Sequence, residues 1–264
     1  MIMNLYVEEK GQENAETILF LHGGGMAGWM WKEQVEVFKD YHLIIPDLPE
    51  HGKSIDIKPF TIEGAADRII DLIRAMAKGG KANLVGISLG AQIILQILSK
   101  SPEVVDHAMI SGTLVHSIPH TETFLKLLDY LIKVYQPVKD TDFFIKANMR
   151  TYNIPKNLFN EFKESTYLIK PESLDRILHE NMLFHMPKGL NHVDVPVLVM
   201  AGGKEYKVIK ESAQDLMEVL PNATGITAPK LGHVWNIENP DLFNRVLRRW
   251  IMDENLPEEV SFIK

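Results

Sequence analysis

Residues 83–99 read NLVGISLGAQIILQILS and join a strand pattern to a helical pattern. The first five residues form a short, largely apolar run, which is typical of a strand buried on both faces of a sheet. From Leu89 onward the apolar residues recur at helical spacing. Between the two patterns lies the G-x-S-x-G sequence Gly86-Ile87-Ser88-Leu89-Gly90. We therefore predict that Ser88 stands at a sharp strand-to-helix turn, in strained backbone geometry, with its hydroxyl above the sheet.

Similar short apolar runs and longer amphipathic stretches alternate on both sides of this turn. Strands are predicted at residues 17–21, 42–45, 107–110 and 195–200, and helices at residues 31–38, 62–77, 209–220 and 241–252. This alternation predicts an α/β fold in which a mostly parallel, doubly wound sheet has helices on both faces.

One long segment, residues 113–192, breaks the alternation. It has no convincing buried strand, but residues 121–136 and 171–183 are helical in pattern. We predict a core formed by residues 1–112 and 193–264, with a helical lid inserted before the strand at 195–200. Such a lid would cover the carboxyl edge of the sheet, where open α/β sheets bind ligands. The alternative is a helical extension packed elsewhere.

Composition excludes several classes of function. The 264 residues include no cysteine, which excludes disulfides, thiolate catalysis and cysteine-bound zinc. The formal net charge of −7 is spread along the chain, which argues against a nucleic-acid partner. No segment approaches the roughly 20 apolar residues of a membrane span, and the first residues do not resemble a signal peptide. We expect a cytoplasmic protein without a membrane partner.

A glycine-rich loop provides the second part of a candidate site. Phe20-Leu21-His22-Gly23-Gly24-Gly25 ends a predicted strand with three glycines. A serine attacking a carbonyl creates negative charge on oxygen, and bare backbone N–H groups can stabilise it. We predict the N–H groups of Gly24 and Leu89 as the oxyanion hole, with Gly23 and Gly25 as alternatives to Gly24. An ordinary βα turn would leave the same glycines without a ligand. His22 is expected to pack beneath the loop.

The remaining candidates are a base and an acid. His233 lies in LGHVWNIENP, just before the last predicted helix, and Glu205 follows the predicted strand at 195–200. A carboxylate there can fix the imidazole tautomer that faces Ser88, and the order serine, acid, histidine fits this class of hydrolase. The alternative for Glu205 is a surface ion pair with Lys204 or Lys207. The competing acids are Asp194 and Glu238, and we expect Glu238 to serve the start of the last helix instead.

Together these motifs resemble the α/β-hydrolase superfamily, in particular its small lidded esterases and lactonases. The resemblance rests on five segments: LHGGGMAGWMW (21–31), IIPDLPEHGKS (44–54), GISLG (86–90), PVLVMAGGKE (196–205) and GHVWNIENPDLF (232–243). Two positions depart from the family pattern. The family usually has aspartate at Glu205, and it usually has glycine at Glu50, where a positive φ would strain a glutamate. We expect Glu50 to be exposed to solvent rather than to face the pocket, where it would favour cationic substrates.

The resemblance implies a serine hydrolase that cleaves a small carboxylic ester or lactone through an acyl-enzyme, with no cofactor and no metal. The expected partner is a small-molecule substrate, and the protein would be a monomer or a homodimer. The same three residues could also serve a lyase, a perhydrolase or a C–C hydrolase. A ligand-binding signalling protein with slow turnover is a further alternative. The sequence leaves the natural substrate, the acyl size and the lid conformation open.

Overall fold

A computed structural model describes residues 5–116 and 121–263. The strands in these ranges form one sheet in the order β1-β3-β2-β4-β5-β6-β7-β8. Neighbouring strands from β3 to β7 are parallel, and the edge strands β1 and β8 pair antiparallel. The strands are β1 (Val7–Lys10), β2 (Thr17–Leu21), β3 (His42–Pro46), β4 (Ala82–Ile87), β5 (Val105–Ser111), β6 (Val197–Gly202), β7 (Ala223–Ala228) and β8 (Ser261–Phe262). The predicted α/β fold class is confirmed.

The central strands are buried on both faces, which explains their continuous apolar sequences. Every residue of β2, β3, β4 and β6 is buried. Because side chains alternate along a strand, Ile18 and Phe20 of β2 join one hydrophobic cluster while Leu19 and Leu21 join the other. The two clusters lie on opposite faces of the sheet, and each is covered by helices.

The core helices follow the strands. Ile69 of α2, Ile93 of α3 and Leu216 of α8 pack into the cluster of Leu19 and Leu21, while residues flanking α1 and residues of α9 and α10 pack on the other face. These helices are α1 (Lys32–Val37), α2 (Ile62–Met76), α3 (Leu89–Lys100), α8 (Lys207–Val219), α9 (Trp235–Glu238) and α10 (Pro240–Ile251).

Each predicted strand and helix begins and ends within two residues of the corresponding element in the structure. The sequence analysis missed β1, β7 and β8. Strand β1 reads VEEK and lies at the sheet edge, and β8 is two exposed residues, so neither has an apolar face to reveal it. Strand β7 reads ATGITA, whose alanines and glycine give a weak strand signal.

A helical insertion joins β5 to β6, and residues 117–120 of the predicted lid range lie outside the described residues. The remainder of the range has no strand. Its helices are α4 (Thr121–Tyr135), α5 (Asp142–Thr151), α6 (Phe159–Leu168) and α7 (Pro171–Met182), of which α5 and α6 were not predicted. One contact with the core is the hydrogen bond from Trp29 Nε1 to Ser165 Oγ at 2.7 Å. The role of the insertion as a lid stays a prediction.

Within residues 5–116 and 121–263, no helix is both long and apolar enough to cross a lipid bilayer.

Candidate active site

Ser88 occupies the sharp turn between β4 and α3. Its φ of 56° and ψ of −114° lie in a region that non-glycine residues rarely adopt, so the backbone there is strained. The turn is held by a hydrogen bond from the Ser88 N–H to the Ser111 carbonyl at 2.8 Å. Ser88 is half-buried.

The two glycines that flank Ser88 allow the chain to turn this tightly. A β-carbon on Gly86 would lie 2.6 Å from the carbonyl carbon of Gly90, and one on Gly90 would lie 2.7 Å from the carbonyl carbon of Leu21. Real β-carbons do not approach other atoms so closely, and both contacts are with backbone that cannot move aside cheaply. The G-x-S-x-G spacing is therefore a steric requirement of this turn.

The predicted oxyanion donors are neighbours in space. A β-carbon on Gly24 would lie 3.7 Å from Leu89 Cδ2, so the loop after β2 reaches the start of α3. In the part of the chain that the structure describes, neither the Gly24 N–H nor the Leu89 N–H has a protein acceptor. The Gly23 N–H, by contrast, donates to Met30 Sδ at 3.3 Å. Gly23 is therefore the poorer alternative to Gly24.

His233 and Glu205 are joined by a short hydrogen bond. His233 Nδ1 lies 2.8 Å from Glu205 Oε1, and the two side chains are 27% and 3% exposed. Because an ionised carboxylate can only accept, this bond assigns the proton to Nδ1 and leaves Nε2 as the acceptor nitrogen. Glu205 does not form the surface ion pair considered above: Lys207 pairs with Glu211, and Lys204 lies near Glu238.

The two competing acids have other contacts. Asp194 accepts from the Asn222 side chain on the surface. Glu238 Oε2 accepts from the Gly232 N–H at 2.8 Å and so fixes the loop that precedes His233. The prediction that Glu238 serves the start of the last helix is wrong, because Asn239 caps α10.

The end of β5 supplies a part of the site that the sequence analysis missed. Gly112 has a φ of +63°, and a β-carbon there would lie 2.9 Å from Glu205 Oε1 and 2.9 Å from His233 Nδ1. The His233 and Glu205 side chains therefore pack against the Gly112 backbone and leave no room for a side chain at that position. The preceding residue, Ser111, accepts from the Ser88 N–H and from Trp235 Nε1. A glycine directly after a buried strand is the signal that could have identified this close approach.

Ser88 and His233 are therefore connected through adjacent residues of one strand end. The backbone of Ser111 holds the Ser88 turn, and Gly112 touches the imidazole of His233. Among the described residues, no hydrogen bond joins the Ser88 hydroxyl to the His233 ring. Contacts between a nucleophile and its base are often loose in a free enzyme and shorten when substrate is bound.

His22 packs beneath the glycine loop. It is fully buried, its Nε2 accepts from the Leu48 N–H at 2.9 Å, and its Nδ1 donates to the Gly23 carbonyl at 2.9 Å. Burial lowers the pKa of His22 to about 4, although the bond to Gly23 acts in the opposite direction. His22 is therefore neutral at pH 7 and supports the loop from below.

Glu50 is not exposed, so the sequence-based expectation for it is wrong. Its exposed fraction is 0%, and its φ is 62°. The carboxylate faces α7 of the insertion, where it pairs with Arg176 at 2.8 Å. The physical reason is that the inserted helix covers this loop and supplies the donors that a buried carboxylate needs.

In the described ranges, no group of three or more His, Asp and Glu side chains is arranged to bind a metal ion.

Residues 18–246 match the model of a family described as the alpha/beta hydrolase family. The chain belongs to the alpha/beta hydrolase family. This membership confirms the resemblance found in the sequence motifs, and the match spans all the candidate site residues.

Known proteins similar to this alpha/beta hydrolase differ in substrate. An AB hydrolase superfamily protein from Gibberella zeae is 27% identical over 255 residues, which cover 94% of this chain and 84% of that protein. The 2-hydroxy-6-oxo-6-(2'-aminophenyl)hexa-2,4-dienoic acid hydrolase of Metapseudomonas resinovorans is 25% identical, with 86% and 81% covered. The structure of a thermophilic esterase from Thermogutta terrifontis has a TM-score of 0.77 at 20% identity, with 94% and 93% covered. At these identities the likeness shows the fold.

Proposed function

We propose that this alpha/beta hydrolase is a serine hydrolase that cleaves a small carboxylic ester or lactone through an acyl-enzyme. The observation that carries the proposal is the 2.8 Å hydrogen bond between His233 and Glu205, held on Gly112 beside the strained turn of Ser88. Strained turns and oriented imidazoles are costly to maintain, and they recur where a serine is activated.

The first half of the reaction acylates the serine. His233 Nε2 takes the proton of the Ser88 hydroxyl while Oγ attacks the carbonyl carbon of the substrate. The carbonyl oxygen becomes negative and accepts hydrogen bonds from the N–H groups of Gly24 and Leu89, which have no acceptor among the residues that the structure describes. Glu205 stabilises the imidazolium. The C–O bond of the ester then breaks, and the leaving oxygen takes the proton from His233.

The second half releases the acyl group. His233 takes a proton from a water molecule, whose oxygen attacks the acyl carbon. The same two N–H groups bind the oxyanion again, the bond to Ser88 Oγ breaks, and His233 returns the proton to Ser88. The products are a carboxylic acid and an alcohol, or one hydroxy acid from a lactone.

A C–C hydrolase with the same residues is the second candidate. It is favoured by the similarity to the dienoic acid hydrolase of Metapseudomonas resinovorans, which spans most of both chains. In that case a C–C bond of the substrate would break and the leaving carbon would take the proton, so the second product would carry a new C–H bond in place of the hydroxyl of an alcohol. Analysis of the products by mass spectrometry separates the two reactions.

The test compares Ser88→Ala with Ser99→Ala, which makes the same substitution farther along α3. Turnover of p-nitrophenyl acetate by wild type should reach the usual enzymatic range of about 1–10³ per second, whereas a signalling protein would be far slower. Ser88→Ala should lower it by about 10⁴-fold or more, and Ser99→Ala should not change it. A fluorophosphonate should label wild type and Ser99→Ala alone. Equal labelling or turnover in Ser88→Ala would refute the mechanism.

A further inference from the structure

Helix α7 of the insertion is attached to the core by polar contacts along its whole length. Near its start and middle, Glu50 binds Ser173 and Arg176. Near its end, Glu180 accepts from the N–H of Ile62 at 2.8 Å, and Asn181 exchanges hydrogen bonds with Gln92 of α3. This helix is therefore held as a fixed wall.

Glu50 makes the most demanding of these attachments. Its carboxylate accepts from Arg176 Nε and Nη2 at 2.8 and 3.1 Å, from Ser173 Oγ at 3.0 Å and from the Phe60 N–H at 2.9 Å. Burial alone would raise the pKa of Glu50, but these donors hold it below its ordinary value, so the group is ionised at neutral pH.

Two unfavourable features coincide at this one residue. A left-handed backbone is strained for any residue with a β-carbon, and a fully buried carboxylate loses its hydration. Glycine would remove both costs. Such features persist where the surrounding structure requires them, and they concentrate near functional sites.

The residue next to Arg176 is Ile177, which lies against the glycine-rich loop after β2. Its Cγ2 lies 3.4 Å from the position that a β-carbon on Gly24 would occupy, and Leu89 Cδ2 lies 3.7 Å from the same point. Ile177 is only 1% exposed and belongs to the same hydrophobic cluster as Leu89. Ile177 therefore lies beside Gly24, whose N–H would bind the substrate carbonyl oxygen in the proposed function.

We propose that Glu50 is a positioning residue that holds α7 through Ser173 and Arg176, so that Ile177 limits the size of the acyl group accepted beside Gly24 and Leu89. The proposal rests on the proposed function, because it assumes that an acyl group binds at Ser88. Glu50 touches no reacting atom and acts through Ile177.

The experiment measures acyl-chain preference with p-nitrophenyl acetate and p-nitrophenyl hexanoate. Ile177→Ala shortens the side chain beside Gly24. Glu50→Gly removes the attachments at Ser173 and Arg176, so that the first half of α7 can move, and it also relieves the strained backbone, so both variants should fold. Each should raise the ratio of kcat/KM for hexanoate to that for acetate by about tenfold, mainly through a lower KM for hexanoate. The double variant should not exceed the larger single effect, because both act on one wall.

A matched control is Glu259→Gln, which breaks an exposed ion pair with Arg245 at 2.9 Å. It should leave the acyl ratio unchanged. Amide hydrogen exchange supplies a readout that needs no substrate: residues 171–182 should exchange at least about tenfold faster in Glu50→Gly and at the wild-type rate in Glu259→Gln.

The outcomes separate the two proposals. An active wild type whose acyl ratio stays within twofold in Glu50→Gly or in Ile177→Ala overturns the positioning role. A wild type inactive on both esters and not labelled by fluorophosphonate refutes the proposed function instead. In that case the exchange measurement decides alone: faster exchange in Glu50→Gly supports the hold on α7, and unchanged exchange overturns it.

Discussion

Replacing Gly112 with alanine tests whether the site depends on backbone contact with the His233–Glu205 pair. At a φ of +63°, a residue with a β-carbon is strained by about 1–2 kcal/mol. The new methyl would also lie 2.9 Å from both side chains, closer than carbon atoms are found to approach. We expect the free energy of unfolding to fall by about 1–3 kcal/mol, because the reduced entropy of the unfolded chain offsets part of the strain.

The loss of activity in Gly112→Ala should be larger than the loss of stability suggests. The imidazole and the carboxylate must move by about half an ångström to reach ordinary contact distance, and a misplacement of about 1 Å costs on the order of 100-fold in rate. We expect kcat for p-nitrophenyl acetate to fall by about 10–100-fold. KM should change little, because Gly112 contacts the base and the acid rather than the substrate.

Gly79→Ala is the matched control for this prediction. Gly79 has a φ of +67°, close to that of Gly112, but a β-carbon there would have no atom within 4 Å. It should therefore lose a similar amount of stability from backbone strain and retain full kcat. Urea unfolding and steady-state kinetics of both variants measure the difference. A Gly112→Ala enzyme with wild-type kcat would refute the role of this contact. So would a Gly79→Ala enzyme whose kcat falls as far as that of Gly112→Ala.

Two further predictions concern the acid and the buried histidines. Glu205→Gln should lower kcat by about 10⁴-fold in a folded protein, because a carboxamide can stabilise the wrong tautomer of His233; steady-state kinetics and circular dichroism measure this, and unchanged kcat would rule out the assigned role. Burial lowers the pKa of His22 to about 4 and that of His51 to about 3, both from 6.5. Between pH 6.5 and these lower values, the two histidines are protonated in the unfolded chain but not in the folded protein. The free energy of unfolding is therefore unaffected above pH 6.5 and falls as the pH falls below it. Urea unfolding should show a loss on the order of 4 kcal/mol from pH 7 to pH 5, and His51→Gln should remove about half of it. Equal stability at the two pH values would contradict the buried, neutral state.

The sequence predicted the parts of the fold that depend on local patterns. Continuous apolar runs such as TILFL must be buried on both faces, and amphipathic stretches such as that of α2 must cover them. The turn at Ser88 was predictable because its two glycines are a steric requirement of that turn. The edge strand β1 was not predictable, because its residues VEEK are exposed in part and gain their pairing from β3.

The contacts that complete the candidate site were outside the reach of the sequence. The place of Gly112 directly after a buried strand signals a close approach, but nothing adjacent in the chain shows that Glu205 and His233 are the residues that pack against it. Glu50 appeared suited to a solvent-exposed loop, but α7, more than 100 residues later, covers it with Arg176 and Ser173. Both errors have one cause, which is that the partners come from distant segments.

By itself the sequence determined strands β2 to β6, the turn of Ser88 and the order of the candidate acid and base, since each of these follows from periodicity, glycine placement or chain order. Only the tertiary structure decided which groups meet. Strand ends and the inserted helix converge at one edge of the sheet. This convergence creates the 2.8 Å hydrogen bond between His233 and Glu205, the packing of that pair against Gly112 and the burial of Glu50. Packing between distant segments leaves no local pattern, so it had to be observed.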